Sequence, residues 1–299
     1  MPKKRTRGRW FLRGFGCGAL LLPLLVGVMI FYMRHEAKRI TVTRLDVPSA
    51  EWTLSPLKVA VVADFHVGPT PEAIERLGKV VDTVNAEKPD LILLPGDFAA
   101  GVRLDQTATP ETIAGELSRL SAPLGVYAVL GNHEHWIGKS GFVRAFEAKG
   151  VPLLEDRGVE LEFNGRRFHL LGASDSWTRT PEEWETLMPK DSLPRIVMTH
   201  TPDIFSTMPE PVALAVAGHT HGGQIVLPLY GPVVMSSRLG RRYACGLVRE
   251  GRNTVFVTRG IGTSIVPLRL LCPPEIAVLT LKQKAPAVPE PVVPEQRAK

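Results

Sequence analysis

LKVAVVAD at residues 57–64, PDLILLPGD at 89–97 and GVYAVLGN at 125–132 are short apolar runs that each end in a polar residue. Runs of this kind, rich in Val, Ile, Leu and Ala and bounded by loop residues, are typical of strands buried on both faces of a sheet. Two stretches compatible with helices, 71–87 and 110–120, lie between them. Because strands that alternate with helices form parallel crossover units, this part of the chain predicts a βαβαβ arrangement and an α/β fold.

The second half of the chain has more strand patterns than helix patterns. Further apolar runs occupy 168–175, 195–200 and 213–219, and they also end in polar residues. Within 159–171, Asn164-Gly165 separates two strand-like segments, and this dipeptide is a strong signal for a two-residue hairpin turn. We expect sheets that pack face to face and are flanked by helices.

The net positive charge of the 299-residue chain comes from its N-terminus. Residues 1–13 hold six Lys and Arg and no acid, which equals the formal net charge of +6. The other 30 of the 36 basic residues are balanced by 30 acidic residues. Because nucleic-acid binding requires a basic domain face, this balance argues against a nucleic-acid partner.

Cysteine is sparse in this sequence. Cys17, Cys245 and Cys272 are the three cysteines, and no CxxC spacing occurs. The set therefore predicts neither a disulfide framework nor a zinc site built from thiolates. Two separate core cysteines are preferred over a Cys245–Cys272 bridge, because isolated cysteines commonly behave as small apolar residues.

A run without charged side chains, GFGCGALLLPLLVGVMIFYM, extends over residues 14–33. A helix of this length, at about 1.5 Å per residue, spans a hydrocarbon core of roughly 30 Å. The alternative is a cleaved secretory signal, but the apolar part is long for one and no small-x-small cleavage site precedes residues 34–40. We therefore expect one uncleaved N-terminal transmembrane helix and membrane lipids as neighbours.

The charges on the two flanks of this run bear on its orientation. Six basic residues precede it, and four follow closely: Arg34, Lys38, Arg39 and Arg44. The positive-inside rule then favours a cytoplasmic N-terminus and an extracytoplasmic domain. The expected organisation is a basic N-terminus with anchor at 1–40, one domain at 41–282 and a mobile tail at 283–299, which contains four prolines.

Polar residues with metal-binding side chains follow most of the predicted strands. They form five blocks: DFH (64–66), GD (96–97), GNHE (131–134), TH (199–200) and GHTH (218–221). Ligands of α/β folds gather at the carboxyl ends of strands, so we expect these blocks to converge. Carboxylate, amide and imidazole ligands without thiolates suit divalent Mn, Fe or Zn.

In this order, the five blocks resemble the pattern DxH, GD, GNH[ED], H and GHxH of the calcineurin-like metallophosphoesterase superfamily. The resemblance covers about residues 57–281 and implies a four-layer sandwich in which two mixed β-sheets are flanked by helices. It implies two divalent metal ions. Asp64, His66 and His221 would hold the first ion, Asn132, His200 and His219 the second, and Asp97 would bridge them.

The implied chemistry is hydrolysis of a phosphoester. Two divalent ions about 3.5–4 Å apart neutralise charge on the phosphoryl oxygens and lower the pKa of a bound water. The resemblance gives His133 a catalytic role, as the general acid for the leaving oxygen or as a stabiliser of the transition state. Glu134 and Asp175 are candidates for the carboxylate that keeps this imidazole protonated. His35, His135 and His169 lie outside the blocks and are expected to have no role in the site.

The substrate is left open among several classes. GHTHGGQ (218–224), RRYACG (241–246) and GIGTSIVPLR (260–269) resemble a membrane-linked branch of the superfamily that includes phosphodiesterases and a hydrolase of UDP-2,3-diacylglucosamine. Arginines beside apolar segments suit a lipid-linked substrate with a phosphate head: Arg238, Arg241, Arg242, Arg259 and Arg269. The alternatives are that these are ordinary solvated charges, that the enzyme is a nuclease or a cyclic-nucleotide phosphodiesterase, or that the chain is a non-enzymatic scaffold.

Overall fold

The computed structural model describes residues 8–175, 180–208 and 211–284. Its helices are α1 (Gly8–Glu36), α2 (Pro71–Ala86), α3 (Pro110–Leu117), α4 (Asn132–Ile137), α5 (Lys139–Ala148) and α6 (Pro181–Leu187). Its strands are β1 (Thr41–Ser49), β2 (Leu57–Val61), β3 (Leu91–Pro95), β4 (Val126–Val129), β5 (Arg157–Phe163), β6 (Arg166–Gly172), β7 (Arg195–Met198), β8 (Leu214–Ala217), β9 (Val226–Leu227), β10 (Gly231–Pro232), β11 (Gly246–Glu250), β12 (Asn253–Val257) and β13 (Glu275–Gln283).

The first sheet has the strand order β1-β13-β2-β3-β4 and contains the predicted βαβαβ unit. β2, β3 and β4 are parallel, and α2 and α3 connect them. Each of these helices begins with a threonine N-cap, Thr70 or Thr109, followed by a proline that suits the first helical turn. β13 completes the sheet by pairing antiparallel with β2 and parallel with β1.

The second sheet has the strand order β11-β12-β8-β7-β6-β5. The four central strands, β6, β7, β8 and β12, are parallel to one another. The edge strands β5 and β11 pair antiparallel with β6 and β12. The predicted hairpin joins β5 to β6, and Asn164 and Gly165 both have positive φ at its turn, 52° and 74°. This is the backbone that a two-residue hairpin turn requires, so the sequence prediction is confirmed.

Three apolar clusters define four layers. α2, α3 and α5 pack on the outer face of the first sheet, the two sheets pack on each other, and α6 packs on the outer face of the second sheet. Successive residues of one strand point to different clusters: Ala60 faces the helices, whereas Val59 and Val61 face the other sheet. The strands are therefore buried on both faces, as predicted, and the expected sandwich of mixed sheets and helices is confirmed.

The N-terminal run lies in α1, whose large apolar side chains from Leu21 to Tyr32 are all exposed, from 40% at Ile30 to 74% at Phe31. Among the residues that the structure describes, no helix combines the length and hydropathy needed to cross a membrane. The predicted anchor is thus not confirmed by the structure. At the other end, β13 extends to Gln283, the first residue of the predicted tail, and residues 285–299 lie outside the described residues.

Candidate metal centre

The predicted metal ligands lie together where strands of both sheets end. They follow β2, β3 and β4 in the first sheet and β7 and β8 in the second: Asp64, His66, Asp97, Asn132, His200, His219 and His221. Parallel strands end at the same edge of a sheet, which is why residues distant in sequence meet here. The predicted convergence of the five blocks is therefore observed.

Three groups of side chains have candidate ligand atoms within 4.8 Å of one another: Asp64 with His66 and His221, His66 with Asp97 and His133, and Asp97 with His200 and His219. Asn132 joins the last group through its Oδ1, 3.1 Å from His200 Nε2. Asp97 belongs to two groups, because its Oδ2 lies 3.6 Å from His66 Nε2 and 3.3 Å from His200 Nε2. The carboxylate of Asp97 is thus shared between two clusters of potential ligands.

The polar atoms of the centre fit a divalent cation. Asp64 is fully buried, its Oδ1 accepts a hydrogen bond from the His219 amide, and its Oδ2 has no hydrogen-bond partner among the described residues. A buried carboxylate oxygen without a partner is unfavourable unless a cation compensates it. In addition, Nε2 of His66 lies 3.0 Å from Nε2 of His221, so two ring nitrogens point at one place. Several His and Asp side chains are therefore positioned to bind metal.

The histidines of the first group are held in the form that binds metal. Burial lowers the pKa of His66 to about 4 and lowers that of His221 well below its ordinary value. Both rings are therefore neutral at pH 7, and a neutral imidazole keeps one nitrogen lone pair. His66 Nδ1 lies 3.1 Å from the Ala99 carbonyl, to which it donates, so Nε2 carries the lone pair.

The acidic residues differ in their affinity for protons. Burial raises the pKa of the Asp64 carboxyl to about 7. Burial acts in the same direction on Asp97, but the imidazoles around it, His200 foremost, hold its pKa well below the usual range. Burial also opposes the charged form of His200, yet the carboxylates led by Asp97 raise its pKa well above the ordinary value. The Asp97 carboxyl is thus the stronger acid of the two.

Backbone strain is concentrated in this centre. Five of the candidate ligands have φ between 45° and 71°: Asp64, His66, Asp97, His219 and His221. A non-glycine residue in this left-handed region costs about 1 kcal/mol or more and persists only where the surroundings impose it. The loops after the strands therefore adopt strained backbone conformations, which lower the stability of the fold but direct these side chains inward.

Two glycines of the sequence blocks allow the backbone to approach the carboxylates. A Cβ on Gly131 would lie 2.2 Å from Asp97 Oδ1, and a Cβ on Gly218 would lie 2.8 Å from Asp64 Oδ2. Real Cβ atoms do not come this close to other atoms. The glycines of GNH and GHTH are therefore required by contact with Asp97 and Asp64.

His133 belongs to the group formed with His66 and Asp97, but neither predicted acid contacts it. Its ring is 4.5 Å from the ring of His66, its Nε2 is 3.8 Å from Asp97 Oδ2, and its Nδ1 faces the Gly101 carbonyl. The prediction that Glu134 supports this imidazole is wrong. The buried Glu134 carboxylate instead accepts hydrogen bonds from three backbone amides, those of Asp97, Ala99 and Gly131. Asp175 is likewise bonded elsewhere, to the Thr201 hydroxyl.

The arginines predicted to face the substrate are mostly engaged elsewhere. Arg242 pairs with Glu250, and Arg259 pairs with Glu275 at 2.7 Å. Arg269 is fully buried, and its guanidinium donates to the carbonyls of Arg259, Gly260, Gly262 and Cys272. These three residues therefore stabilise the fold, and no feature of the sequence indicates that Arg269 is buried. Cys245 and Cys272 form no bridge, as expected. The prediction that both are core residues is correct only for Cys272, because Cys245 is exposed.

Comparisons with known proteins agree with this geometry. The pattern of the family described as calcineurin-like phosphoesterase matches residues 57–223. The chain is 32% identical over 287 residues to the uncharacterized metallophosphoesterase YkuE of Bacillus subtilis, covering 94% of this chain and 99% of that one. It is 32% identical over 237 residues to the phosphodiesterase YaeI of Escherichia coli, covering 76% and 83% of the two chains.

Two more distant matches complete the comparison. A Danio rerio protein named transmembrane protein with metallophosphoesterase domain is 24% identical over 283 residues, covering 89% of this chain and 62% of that one. The solved calcineurin-like phosphoesterase YfkN of Bacillus subtilis superposes with a TM-score of 0.40 at 14% identity, covering 70% and 82% of the two chains. The family match over residues 57–223 and the identity to YkuE decide the assignment. This chain belongs to the calcineurin-like phosphoesterase family.

Proposed function

We propose that the chain is a membrane-anchored phosphodiesterase with two divalent metal ions, acting on a phosphodiester or pyrophosphate bond of a lipid-linked substrate. The first ion is assigned to Asp64, His66 and His221, the second to Asn132, His200 and His219, and Asp97 is assigned to both. The single observation that supports the pair of sites is the position of Asp97, whose Oδ2 belongs to two clusters of candidate ligands.

Residues of the chain hold and orient the candidate ligands, and the metal ions would supply the chemistry. When bound, the ions neutralise charge on the phosphoryl oxygens and make a nucleophile available near neutral pH. Glu134 holds the loops of Asp97 and Gly131 in place through its backbone hydrogen bonds. His66 and His200 are oriented by the carbonyls of Ala99 and Pro95, at 3.1 and 2.8 Å from their Nδ1 atoms. These contacts fix the direction of each ligand before metal arrives.

His133 is assigned the proton transfer to the leaving group. Its Nδ1 donates to the Gly101 carbonyl, so its Nε2 is the atom that faces Asp97 and the metal centre. In the protonated ring, Nε2–H gives its proton to the leaving oxygen as the P–O bond breaks, and the neutral Nδ1–H tautomer remains. This role is that of a general acid, which matters most for a basic leaving oxygen.

The lipid-linked substrate and the anchor are supported by the N-terminal run. Residues 14–33 lack charged side chains, and the described large side chains of this run are exposed. A relative from Danio rerio is named a transmembrane protein. The more basic N-terminal flank favours an orientation with the catalytic domain outside the cytoplasm. Tethering of this kind raises the local concentration of membrane substrates.

Hydrolysis assays with the full chain test the function. We expect Mn²⁺-dependent cleavage of bis(p-nitrophenyl) phosphate and faster cleavage of a lipid substrate, chosen from a phospholipid and UDP-diacylglucosamine. Asp97→Asn should abolish both activities, because it weakens the carboxylate that serves both sites. Asp105→Asn is the matched control, since Asp105 is an exposed carboxylate paired only with Arg103 among the described residues. Normal turnover by Asp97→Asn contradicts the two-metal assignment, and a strong preference for nucleic acid or cyclic nucleotides contradicts the lipid assignment.

Protease protection tests the anchor and its orientation. Protease added to intact spheroplasts should digest the catalytic domain while the N-terminus stays with the membrane. A domain protected until the membrane is broken contradicts the outward orientation. Full-length chain in the soluble fraction contradicts the anchor.

A further inference from the structure

A cavity of about 400 Å³ adjoins the metal centre and shares one lining residue with the groups of candidate ligands. Its walls come from the end of α1, from α2 and from residues 261–267. His66, a candidate ligand of the first ion, lines it as well. The cavity therefore opens beside the position where a scissile phosphate would bind.

The cavity is lined by cations. Arg34 from the last turn of α1, Lys38 from the turn after α1 and Arg76 from α2 all line it. Across the part of the chain that the structure describes, no carboxylate lies within ion-pair distance of these three side chains. Their formal charge is thus not neutralised by a carboxylate of the described residues, whereas the nearby Arg44 pairs with Glu87. A cavity with several uncompensated cations attracts anions.

Arg76 fixes the shape of this cavity. Its guanidinium donates to the carbonyls of Ala37 and Lys38 at 3.0 and 2.9 Å, and to that of Ile261 at 3.1 Å. These three carbonyls belong to two different walls, the end of α1 and the loop of residues 261–267. The cations are therefore carried on walls that a partly exposed set of hydrogen bonds from Arg76 holds together, and the backbone of the site is preorganised.

The end of α1 is also docked on the loop that packs against the metal centre. The Arg269 amide donates to the Met33 carbonyl at 3.1 Å, and the Cys272 amide donates to Glu36 Oε1 at 2.8 Å. Cys272 in turn contacts the His221 carbonyl through its Sγ at 3.3 Å. The backbone that carries the exposed side chains of Arg34 and Lys38 is therefore held in a fixed relation to the metal centre.

We propose that this cavity binds a second anionic group of the substrate, a phosphate, while the scissile phosphodiester lies at the metal centre. The proposal rests on the proposed function, which it extends by naming the substrate class as a phosphodiester that carries an additional phosphate. Because the cavity is formed by the end of α1, a lipid headgroup with two phosphates reaches both sites from the same side. Arg34 and Lys38 provide the charge, and Arg76 positions the walls.

A matched pair of substrates tests the proposal with the full chain in detergent. Dioctanoyl phosphatidylinositol and its 4-phosphate differ by one phosphate monoester, and bis(p-nitrophenyl) phosphate reports the metal centre alone. Wild type should cleave the phosphorylated lipid with the higher kcat/KM. Arg34→Gln/Lys38→Gln should raise KM for that lipid about tenfold, as expected for the loss of two charge-assisted contacts, and so remove the preference. Arg39→Gln/Arg44→Gln is the matched control, because it removes two neighbouring charges that do not line the cavity.

The outcomes separate this proposal from its alternatives. An equal loss in both double variants assigns the effect to general charge near the membrane and overturns the cavity site. Stimulation or inhibition by inorganic phosphate that depends on Arg34 and Lys38, without preference for the phosphorylated lipid, assigns the cavity to free phosphate and also overturns it. Failure to cleave any of the three substrates rejects the proposed function itself. Calorimetry with the phosphorylated dioctanoyl lipid then tests binding at the cavity directly. Tighter binding by wild type than by Arg34→Gln/Lys38→Gln supports the proposal, and equal binding overturns it.

Discussion

Replacement of Gly131 by alanine tests whether the glycine of the GNH block is required by the carboxylate beside it. Gly131 has φ −102° and ψ −176°, values that alanine also adopts, so the backbone itself does not resist the change. The added Cβ would lie 2.2 Å from Asp97 Oδ1 and 2.6 Å from the Asp97 amide nitrogen. Since real Cβ atoms do not come within 3.0 Å of such atoms, either Asp97 or the loop of Gly131 must move by nearly 1 Å.

Neither Asp97 nor the loop of Gly131 can move without disturbing hydrogen bonds of the metal centre. The Asp97 amide donates to Glu134, and Asp97 Oδ1 accepts from the His133 amide at 3.0 Å. A displacement of about 1 Å at a catalytic group costs about 100-fold in rate. Overpacking of a buried site lowers the free energy of unfolding by about 1–3 kcal/mol. We therefore expect Gly131→Ala to lose about 100-fold in kcat/KM and to bind Mn²⁺ more weakly, while remaining folded.

The assay is Mn²⁺-dependent hydrolysis of bis(p-nitrophenyl) phosphate, with calorimetry for metal affinity and urea unfolding for stability. Gly115→Ala is the control, because Gly115 lies in α3 and its added Cβ would meet only the Lys149 side chain, at 4.0 Å. This control should gain about 0.5–1 kcal/mol of stability, as alanine is the better helix former, and keep full activity. Turnover of Gly131→Ala within about threefold of wild type would refute the reasoning.

Three further predictions concern protons, loop support and the core. Because burial raises the pKa of Asp64 to about 7, a proton on Asp64 competes with metal below that pH, and the raised pKa of His200 adds a second competing proton. Mn²⁺ affinity should therefore rise with pH through pH 7, by at least about tenfold per pH unit below it; calorimetry that finds no pH dependence contradicts this. Glu134→Gln places an amide donor against backbone amides, so unfolding free energy should fall by about 1–3 kcal/mol in urea titrations, together with Mn²⁺ affinity, and an unchanged variant would reject the supporting role. Trp52→Ala removes a fully buried indole whose ring centroid lies 5.3 Å from that of Phe168, between the sheets. In urea titrations the free energy of unfolding should fall by about 3–5 kcal/mol, while the folded protein keeps its turnover. A smaller fall would indicate that neighbouring side chains fill the cavity.

Several features were predictable because they are determined by local chemistry. The burial of β2 and β3 on both faces follows from runs of apolar residues, and the turn between β5 and β6 follows from Asn164-Gly165. The candidate ligands were also predictable, because metal binding restricts the residue types and strand ends restrict their positions. The structure brings all of these side chains together.

Other features required the tertiary structure. The sequence left residues 41–49 unassigned, since β1 exists only through its pairing with β13, more than 230 positions later. Glu134 was expected beside His133, but its carboxylate turns to the backbone of neighbouring loops.

Arg269 and Arg76 illustrate the same limit for charged residues. Both were indistinguishable in sequence from solvated surface arginines, yet one is fully buried against carbonyls and the other joins two walls of a cavity. The sequence by itself therefore determined the layers of the fold, the motif and the candidate metal ligands, because short-range spacing and ligand chemistry encode them. Only the tertiary structure decided which charges support the centre and which face the cavity, because these roles depend on contacts between segments that are distant in the chain.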